Sequence, residues 1–356
     1  MTPQRPRILH LLGGAGTENA SIARIIARLA EQLPGYQMNA WFLGSDGPLR
    51  EEMPQVLETR VFPFRFDSFS SHIRLWRELR RVETDLIHFH LRSRRTLWTA
   101  RSSARGPILL HLHSHGHETG RAEPVLIATR GADAVVATSH AVARRADRPC
   151  LVVHPGVPLP GALCRRSGPA LTIGSAGRLS RVKGMIHLVQ AAALLRDQLP
   201  EARIEIAGEG QERPSLESEI SRLGLEGNVR LLGWQPDLYQ AMGEWDIYVQ
   251  PSTSEGFGIA VVQAMNAALP VVGTRVGGLE EIILDDATGI LVEAGNPQAI
   301  AAAVLRLAKD PALRNAMGER GRRRAQEEFS PQRMAAALDR IYDKLLGGGP
   351  GSPQPG

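Results

Sequence analysis

The sequence predicts an α/β protein made of two doubly wound domains, each with a parallel sheet between layers of helices. Short apolar runs alternate with helical patterns in two successive series along the chain, which is typical of parallel sheets. A proline- and glycine-rich stretch, Pro155–Pro169, separates the two series and predicts a hinge between domains. The length of 356 residues agrees with two domains, because it exceeds what one hydrophobic core ordinarily supports.

The first domain is predicted to span residues 1–160 and to begin with a buried strand. A glycine loop follows this strand, and a helical pattern then covers Glu18–Leu33. The predicted strands of the domain are Arg7–Leu12, Met38–Leu43, Thr59–Phe62, Leu86–Phe89, Ile108–His113, Ala134–Ala137 and Leu151–Val153.

The second domain is predicted to span residues 161–329. Its predicted strands are Leu171–Ala176, Arg203–Ala207, Val229–Leu232, Asp246–Val249, Val271–Val272 and Gly289–Val292. Its predicted helices are Gly184–Arg196, Pro214–Leu223, Ile259–Ala268, Pro297–Lys309 and Pro311–Glu328. Within residues 330–346, Ser330-Pro331 starts a last amphipathic helix, Gln332–Leu346. Residues 347–356 are expected to be disordered because they cannot bury a core.

The composition favours an ordinary globular protein of a reducing compartment. Apolar residues make up 43% of the chain and charged residues 22%. Cys150 and Cys164 lack the spacing of a metal or redox site, so reduced thiols are expected. No apolar run approaches the length of a transmembrane helix, and the N-terminus does not have the pattern of a signal peptide. We therefore expect a cytoplasmic location.

Positive charge is concentrated in Arg74–Arg105, which holds nine arginines against three acidic residues. Trp76 and Trp98 lie among these cations. The stretch favours an anionic partner, either a phosphorylated substrate or the inner face of the plasma membrane. An ordinary solvated basic face is the alternative. A nucleic-acid partner is not expected, because aromatic residues are few and no nucleic-acid module is recognisable.

The most informative candidate site is Gln250–Gly273, which reads QPSTSEGFGIAVVQAMNAALPVVG. Its glycine-bearing turn Glu255-Gly256-Phe257-Gly258 lets a ligand approach the backbone closely. The helix that follows offers N–H groups to a phosphate or to clustered hydroxyls. Glu255 could accept hydrogen bonds from sugar hydroxyls, and Gln263 could reach a ribose. The alternatives are a helix-capping Glu255 and a solvent-facing Gln263.

Three further turns follow predicted strands. Arg178 and Lys183 are five residues apart in one of them and could converge on one anion, such as a pyrophosphate that must be held and then leave. The alternative is a pair of solvated surface cations. Glu209-Gly210 and Gly13-Gly14 lie in the other two turns, which suit a ligand-facing loop, with a plain tight turn as the alternative.

Six histidines are concentrated in the first domain: His88, His90, His111, His113, His115 and His117. Four of them occupy alternate positions and so share one face of an extended strand instead of surrounding a tetrahedral ion. No cysteine or carboxylate cluster completes a metal site, and none is expected. We expect His113, at the end of its strand, to be the active-site histidine, with His115 as the competitor and His111 as a hydrogen-bonded core residue.

Together these motifs resemble the retaining glycosyltransferases of the GT-B fold, specifically family 4. The resemblance covers nearly the whole chain and is most specific in the second half. The matching segments are GRLSRVKG at 177–184, AGEG at 207–210, PSTSEGFG at 251–258 and QAMNAALPVVGTRVGG at 263–278. The resemblance implies two Rossmann-like doubly wound domains facing a cleft, with the acceptor bound by the first and a nucleotide sugar by the second. It also implies transfer of a hexose to a hydroxyl with retention and without a metal or other cofactor.

The resemblance also assigns roles to residues. Arg178 and Lys183 would hold the diphosphate, which the Gly13-Gly14 loop approaches from the other domain, and His113 would lie near the reacting centre. Glu255 would contact the transferred sugar and is the fourth catalytic position, with His113, Arg178 and Lys183. The remaining donor-binding positions are Glu209, Gly210, Gly256, Phe257, Gly258 and Gln263.

Gln263 departs from the family pattern, which has two glutamates with seven residues between them; here Gln263 stands in the place of the second. A glutamine oxygen accepts only as a neutral group, and charge-assisted bonds are roughly twice as strong. A loss of about 1–2 kcal/mol in donor binding is expected. The departure leaves a catalytically silent nucleotide-sugar-binding subunit as an alternative. A sugar-nucleotide epimerase of the same fold is another, whereas glycan phosphorylases of this fold are longer and use a bound cofactor.

Overall fold

The computed structural model describes residues 5–15, 20–47, 53, 55–91, 93–114, 127–161 and 170–347. Within these residues the chain forms two compact units. Of the described residues, those up to 113 and those in 127–156 and 331–347 make up the first unit, and residues 114, 157–161 and 170–330 make up the second. Some predictions concern residues outside the described ones, namely His115, His117, Cys164 and residues 348–356.

The first unit contains a seven-stranded sheet in which neighbouring strands are parallel. Its strands are β1 (Arg7–Leu12), β2 (Gln37–Leu43), β3 (Glu58–Phe62), β4 (Leu86–Phe89), β5 (Ile108–Leu112), β6 (Ala134–Ala137) and β7 (Leu151–Val152). They lie in the order β3-β2-β1-β4-β5-β6-β7. The chain therefore winds outward in both directions from β1, as a doubly wound sheet does.

Helices cover both faces of this sheet. The helices of the first unit are α1 (Ala20–Gln32), α2 (Phe69–Arg81), α3 (Arg94–Ser103), α4 (His140–Ala143) and the C-terminal α12 (Pro331–Leu345). One face packs Ile8 and Leu109 against α1 and α12, and the other packs Leu9 and Leu110 against α2 and α3. This alternation along single strands is the period of two that strand geometry imposes.

The C-terminal helix α12 belongs to the first unit although the chain passes through the second unit to reach it. Its buried residues include Leu338 and Tyr342. The Tyr36 hydroxyl lies 2.8 Å from Asp339 Oδ1 and 2.9 Å from Asp343 Oδ1, which places two polar contacts at the rim of this apolar helix contact. Apolar burial and these contacts together hold α12 against the first sheet.

The second unit contains a six-stranded parallel sheet in the order β10-β9-β8-β11-β12-β13. Its strands are β8 (Thr172–Ala176), β9 (Arg203–Ala207), β10 (Val229–Gly233), β11 (Ile247–Gln250), β12 (Val271–Thr274) and β13 (Gly289–Val292). Its helices are α5 (Met185–Leu195), α6 (Arg213–Arg222), α7 (Leu238–Gly243), α8 (Ile259–Asn266), α9 (Leu279–Ile282), α10 (Pro297–Lys309) and α11 (Pro311–Glu328). The predicted fold class of two doubly wound α/β domains is confirmed.

The boundaries differ from the predicted ones where local backbone geometry overrides the pattern. β5 ends at Leu112, so His113 lies one residue beyond the strand. α8 ends at Asn266, and Ala268 adopts a left-handed conformation with φ of 54°. The short helices α4, α7 and α9 were not predicted, because four to six residues are too few to show a helical period. Within the described residues, no helix is both long and apolar enough to cross a membrane.

Candidate functional site

The candidate site in the second unit lies where β8, β9 and β11 end. Carboxyl ends of parallel strands meet at one edge of a sheet, so the turns that follow them are neighbours. Glycines allow these turns to touch. A Cβ on Gly184 would lie 2.1 Å from the Pro251 carbonyl oxygen, and one on Gly208 would lie 2.0 Å from the Gly177 oxygen. Contacts this close exclude any side chain, so these positions require glycine.

Lys183 and Glu255 form the central ion pair of this site. Lys183 Nζ lies 2.8 Å from Glu255 Oε1 and 2.7 Å from Oε2, so it contacts both carboxylate oxygens. The Glu255 side chain is 9% exposed and that of Lys183 25%. A carboxylate this buried needs a partner, because desolvation of an unpaired charge is costly. Lys183 supplies the positive charge, and the site keeps one face toward solvent.

A chain of buried polar side chains supports the carboxylate from behind. Ser252 Oγ donates to Glu255 Oε2 at 3.0 Å, and Gln250 Nε2 donates to Ser252 Oγ at 2.9 Å. The Tyr248 hydroxyl lies 2.7 Å from Gln250 Oε1, and burial raises its pKa, so it stays protonated as a donor. Thr274 Oγ1 donates to the Ser252 carbonyl oxygen at 2.6 Å. These bonds fix the carboxylate in one position.

The sequence analysis missed this supporting chain. Tyr248, Gln250 and Ser252 occupy alternate positions at the end of β11, and all are buried. Polar residues at every second position of an otherwise apolar strand are a usable signal, since buried polar groups require partners.

The turn 256–258 places the start of α8 beside the carboxylate. Gly258 has a φ of 117° and precedes α8 without any side-chain cap. Glu255 therefore does not cap the helix, because its carboxylate is held by Lys183 and Ser252 instead. Phe257 is buried with its ring edge against Phe329, at a centroid distance of 5.5 Å. Phe257 thus anchors the turn, and the backbone at Gly256 and Gly258 is what the turn offers to a ligand.

The other predicted donor-binding residues lie on neighbouring elements of the same unit. Arg178 is exposed at the start of the turn that ends in Lys183, and Gln263 is half-buried on α8. Glu209 accepts a hydrogen bond from Arg213 Nη1 at 2.8 Å, and its backbone oxygen accepts from Leu179 N at 2.8 Å. A Cβ on Gly210 would lie 2.3 Å from the Leu179 oxygen, so the 208–210 turn packs directly on the 177–179 turn.

In the first unit, the glycine loop after β1 packs on the loop after β2. Ala15 N donates to the Ser45 oxygen at 3.1 Å, and a Cβ on Gly14 would lie 3.3 Å from Ser45 N. Gly13 and Gly14 are both partly exposed. Gly44 has a φ of 145°, and a Cβ there would lie 3.2 Å from Gly14 Cα. The two loops therefore need small residues on both sides of their contact.

Five histidines form an array on the side of β1, β4 and β5 that α1 and α12 cover. Four of them are buried, and the fifth, His113, is partly exposed. We call His10, His90 and His113 the outer row, and Tyr342, His88 and His111 the inner row. In the outer row, His10 Nδ1 lies 3.0 Å from His90 Nε2, and His90 Nδ1 lies 2.9 Å from His113 Nε2. In the inner row, the Tyr342 hydroxyl lies 2.7 Å from His88 Nδ1, and His88 Nε2 lies 3.2 Å from His111 Nδ1.

Burial keeps these histidines neutral. It lowers the pKa of His10 to about 3 and that of His113 to about 4, and it lowers those of His88, His90 and His111 well below the ordinary value. Neighbouring imidazoles reinforce the shift, because two adjacent cations would repel. Neutral imidazole has one N–H and one lone pair, which is the state that hydrogen-bonded rows require.

The structure places His111 in the core, bonded to His88, as predicted. His113 lies at the partly exposed end of the outer row. Two groups of three histidines, His10–His88–His90 and His90–His111–His113, have ring nitrogens within 4.8 Å of one another. The sequence analysis missed His10 and the pairing across strands. The signal was present, because adjacent central strands carry histidines at matching positions, with His10 opposite His88.

Two family profiles match the chain. Residues 166–324 match the family described as Glycosyl transferases group 1. Residues 19–159 match Glycosyltransferase Family 4.

Curated proteins are similar over shorter stretches. The D-inositol 3-phosphate glycosyltransferase of Corynebacterium urealyticum is 36% identical over 188 residues, which cover 49% of this chain and 43% of that protein. The lipopolysaccharide core biosynthesis mannosyltransferase LpcC of Rhizobium leguminosarum is 31% identical over 235 residues, which cover 61% of this chain and 66% of that protein. The chain spans about half the length of the first curated relatives it matches.

Solved structures share the fold over most of the chain. The structure of Anabaena HepE in complex with UDP and glucose matches with a TM-score of 0.82 and 22% identity, covering 96% of this chain and 100% of that one. Sucrose-phosphate synthase from Thermosynechococcus elongatus matches with a TM-score of 0.77 and 20% identity, again covering 96% and 100%. At these identities the likeness concerns the fold.

The buried array predicts a loss of folding stability in acid. Unfolded histidine binds a proton near pH 6.5, whereas folded His10 does so only at about 3 and His113 at about 4. The unfolded state therefore binds more protons between these values. The free energy of unfolding should decrease as the pH falls below about 6.5, by up to about 1.4 kcal/mol per pH unit for each such histidine.

Thermal denaturation between pH 7.5 and 4.5 measures this loss. His10→Leu should reduce the decrease of stability with falling pH by the contribution of one histidine. Leu284→Ser, at an exposed site, should leave the pH dependence of stability unchanged. A melting temperature that stays constant down to pH 5 would show that these groups are not held neutral.

Proposed function

The chain belongs to the group 1 and family 4 glycosyltransferases, and we propose that it transfers a hexose from a nucleoside-diphosphate sugar to a hydroxyl acceptor with retention. Several similar proteins carry names from lipopolysaccharide core biosynthesis. These names support a glycan or lipid-linked acceptor. The UDP and glucose in the Anabaena HepE structure support a nucleotide-sugar donor.

The observation that carries the proposal is the pair between Lys183 and Glu255. An ammonium group has three N–H donors, and the carboxylate of Glu255 engages two of them. The third donor remains available for a phosphate oxygen. Lys183 can therefore bridge a diphosphate to a carboxylate whose remaining lone pairs accept from sugar hydroxyls. In this way one buried pair joins the two halves of the donor.

Stabilisation of the leaving diphosphate is the chemical task of this site. Negative charge builds on the phosphate as the bond to the anomeric carbon breaks. Lys183 and the exposed Arg178 supply positive charge within one turn, and the start of α8 adds oriented backbone dipoles. Fixed cations and dipoles can perform this task without a metal ion.

Retention follows if the acceptor hydroxyl attacks from the face that the phosphate leaves. The departing phosphate oxygen can then take the hydroxyl proton, while the new bond forms at the anomeric carbon. A double displacement would need a free carboxylate nucleophile. Among the described residues of this site, the Glu255 carboxylate is committed to Lys183 and Ser252, which favours the same-face route.

Donor titration by calorimetry tests the proposal. Nucleoside diphosphates should bind at least about tenfold more tightly than the monophosphates, because the second phosphate meets Lys183 and Arg178.

Gln263→Glu should tighten diphosphate binding by about 1–2 kcal/mol if residue 263 meets the ribose, since the acceptor gains a charge. The gain in affinity from Gln263→Glu should be smaller for a 2′-deoxyribonucleoside diphosphate, which lacks one ribose hydroxyl and serves as the matched control.

Equal binding of mono- and diphosphates would overturn the diphosphate assignment. Transfer of labelled sugar to any acceptor, or slow donor hydrolysis, separates an active enzyme from a silent binding subunit. Conversion of the donor sugar without an acceptor would instead identify an epimerase.

We further propose that α2 and α3 contact an anionic membrane surface that holds the acceptor. Phe66, Phe69 and Ile73 are exposed, Phe69 by 75% of its surface. Arg74 and Arg77 are exposed beside them on α2. Apolar side chains flanked by arginines are typical of surfaces that insert at the headgroup boundary. Each basic residue near an anionic surface contributes about 1 kcal/mol.

Vesicle sedimentation tests this surface. At low salt the protein should sediment with phosphatidylglycerol vesicles and remain in solution with phosphatidylcholine vesicles. Phe69→Ser should weaken binding by about tenfold or more, because a buried phenylalanine contributes about 1.5–3 kcal/mol. Leu284→Ser, at an exposed apolar residue of the second unit, is the matched control. No binding to anionic vesicles would refute the membrane proposal.

A further inference from the structure

The ring geometry of the outer row indicates hydrogen bonds directed along the row. The centroids of His10 and His90 are 5.3 Å apart and those of His90 and His113 are 5.2 Å apart. The corresponding N···N distances are 3.0 and 2.9 Å. Each centroid separation exceeds its N···N distance by about one ring diameter, and the rings are within 20° and 26° of coplanar. Donor and lone pair therefore point at each other and do not converge on a third point.

This row fixes a common tautomer for its three members. Each bond joins the Nδ1 of one ring to the Nε2 of the next. A neutral imidazole carries one proton, so a ring that donates through Nδ1 must accept through Nε2. If His10 carries its proton on Nδ1, then His90 and His113 do so as well. The opposite arrangement places all three protons on Nε2.

The far end of the row decides between the two arrangements. His10 is fully buried, and its Nε2 has no hydrogen-bond partner among the described residues. With protons on Nδ1, this atom keeps an unpaired lone pair. With protons on Nε2, it is an unpaired N–H, and genuinely orphaned buried N–H groups are rare. The Nδ1–H arrangement is therefore favoured along the whole row.

We propose that His10 and His90 act as positioning residues that lock His113 in its neutral Nδ1–H tautomer. His113 Nε2 is engaged by His90, so Nδ1 is the ring nitrogen left to bind a ligand. His113 then serves as a fixed hydrogen-bond donor to a substrate oxygen and not as a general base. This inference rests on the proposed function only for the identity of that oxygen, because the tautomer is a property of the protein alone.

The first test is a two-bond 1H–15N correlation spectrum of the histidine-labelled protein at pH 7.5. Single substitutions assign the signals of the 11 histidines. His10, His90 and His113 should each show a protonated Nδ1 and a bare Nε2. A bare Nδ1 on His113, or an averaged mixture of tautomers, would overturn the proposal. This readout requires no substrate, so it stands whether or not a donor is turned over.

The second test uses an isosteric pair at position 90. His90→Asn can donate to His113 Nε2 and should keep transfer within about tenfold of the original, with little change between pH 6 and 9. His90→Asp can only accept, so neutral His113 must move its proton to Nε2 and lose the Nδ1 donor. Turnover of His90→Asp should fall by about 100-fold as His113 deprotonates with rising pH. A role in packing alone would affect both variants equally and give them the same pH profile.

One control variant, one fallback and one alternative outcome complete the test. Tyr342→Phe removes a buried hydroxyl from the inner row and should leave the pH profile of transfer unchanged. If His90→Asp does not fold, the spectra of the original protein and of His90→Asn decide the tautomer. Addition of zinc alone provides the last outcome. Stoichiometric zinc binding that is lost in His90→Asn would replace the hydrogen-bonded row with a metal site and refute the proposal.

Discussion

The second unit depends on the compensation of one buried negative charge, that of Glu255. The carboxylate of Glu255 is almost fully removed from solvent, and Lys183 compensates it through both oxygens. Removing one partner of a buried pair costs about 3–5 kcal/mol, whereas an exposed pair contributes about 0–1 kcal/mol. The partial exposure of Lys183 places this pair between those limits. Glycines that let the 177–184 and 251–258 turns touch, and the buried polar chain behind Ser252, serve to hold the pair in position.

The first unit solves a related problem without charge. Four buried imidazoles and the partly exposed one of His113 have pKa values lowered by desolvation, and their rows of hydrogen bonds satisfy most of the ring nitrogens. Buried networks of this kind specify one arrangement when fully satisfied and destabilise the core when broken. The same neutrality makes the unit sensitive to acid. In both units, several hydrogen bonds hold a few polar side chains near strand ends in one position. Such local departures from an apolar core are expected at functional sites.

Sequence reasoning succeeded where one local pattern sufficed. Apolar runs and helical periods placed the strands and most of the long helices, although α2 and α3 received no predicted bounds. The turns bearing Lys183 and Glu255 were identified from their position after strands. It failed where the information is spread across the fold. The bond between Lys183 and Glu255 joins residues 72 apart. The histidine rows join three strands, and Tyr342 reaches His88 from 254 residues away. Strand order and register, which periodicity does not encode, bring such residues together.

Lys183 holds Glu255 in the fold, and we propose that it also stabilises the leaving diphosphate; sugar transfer by variants of this pair distinguishes these roles. Lys183→Met should lower turnover by about 100-fold or more and also destabilise the protein, because Glu255 loses its partner. The double variant Lys183→Met/Glu255→Gln removes the unpaired charge, so its melting temperature should recover while its turnover stays well below that of Glu255→Gln alone. If turnover recovered together with stability, Lys183 would act only by neutralising Glu255, and its proposed role in the reaction would be wrong.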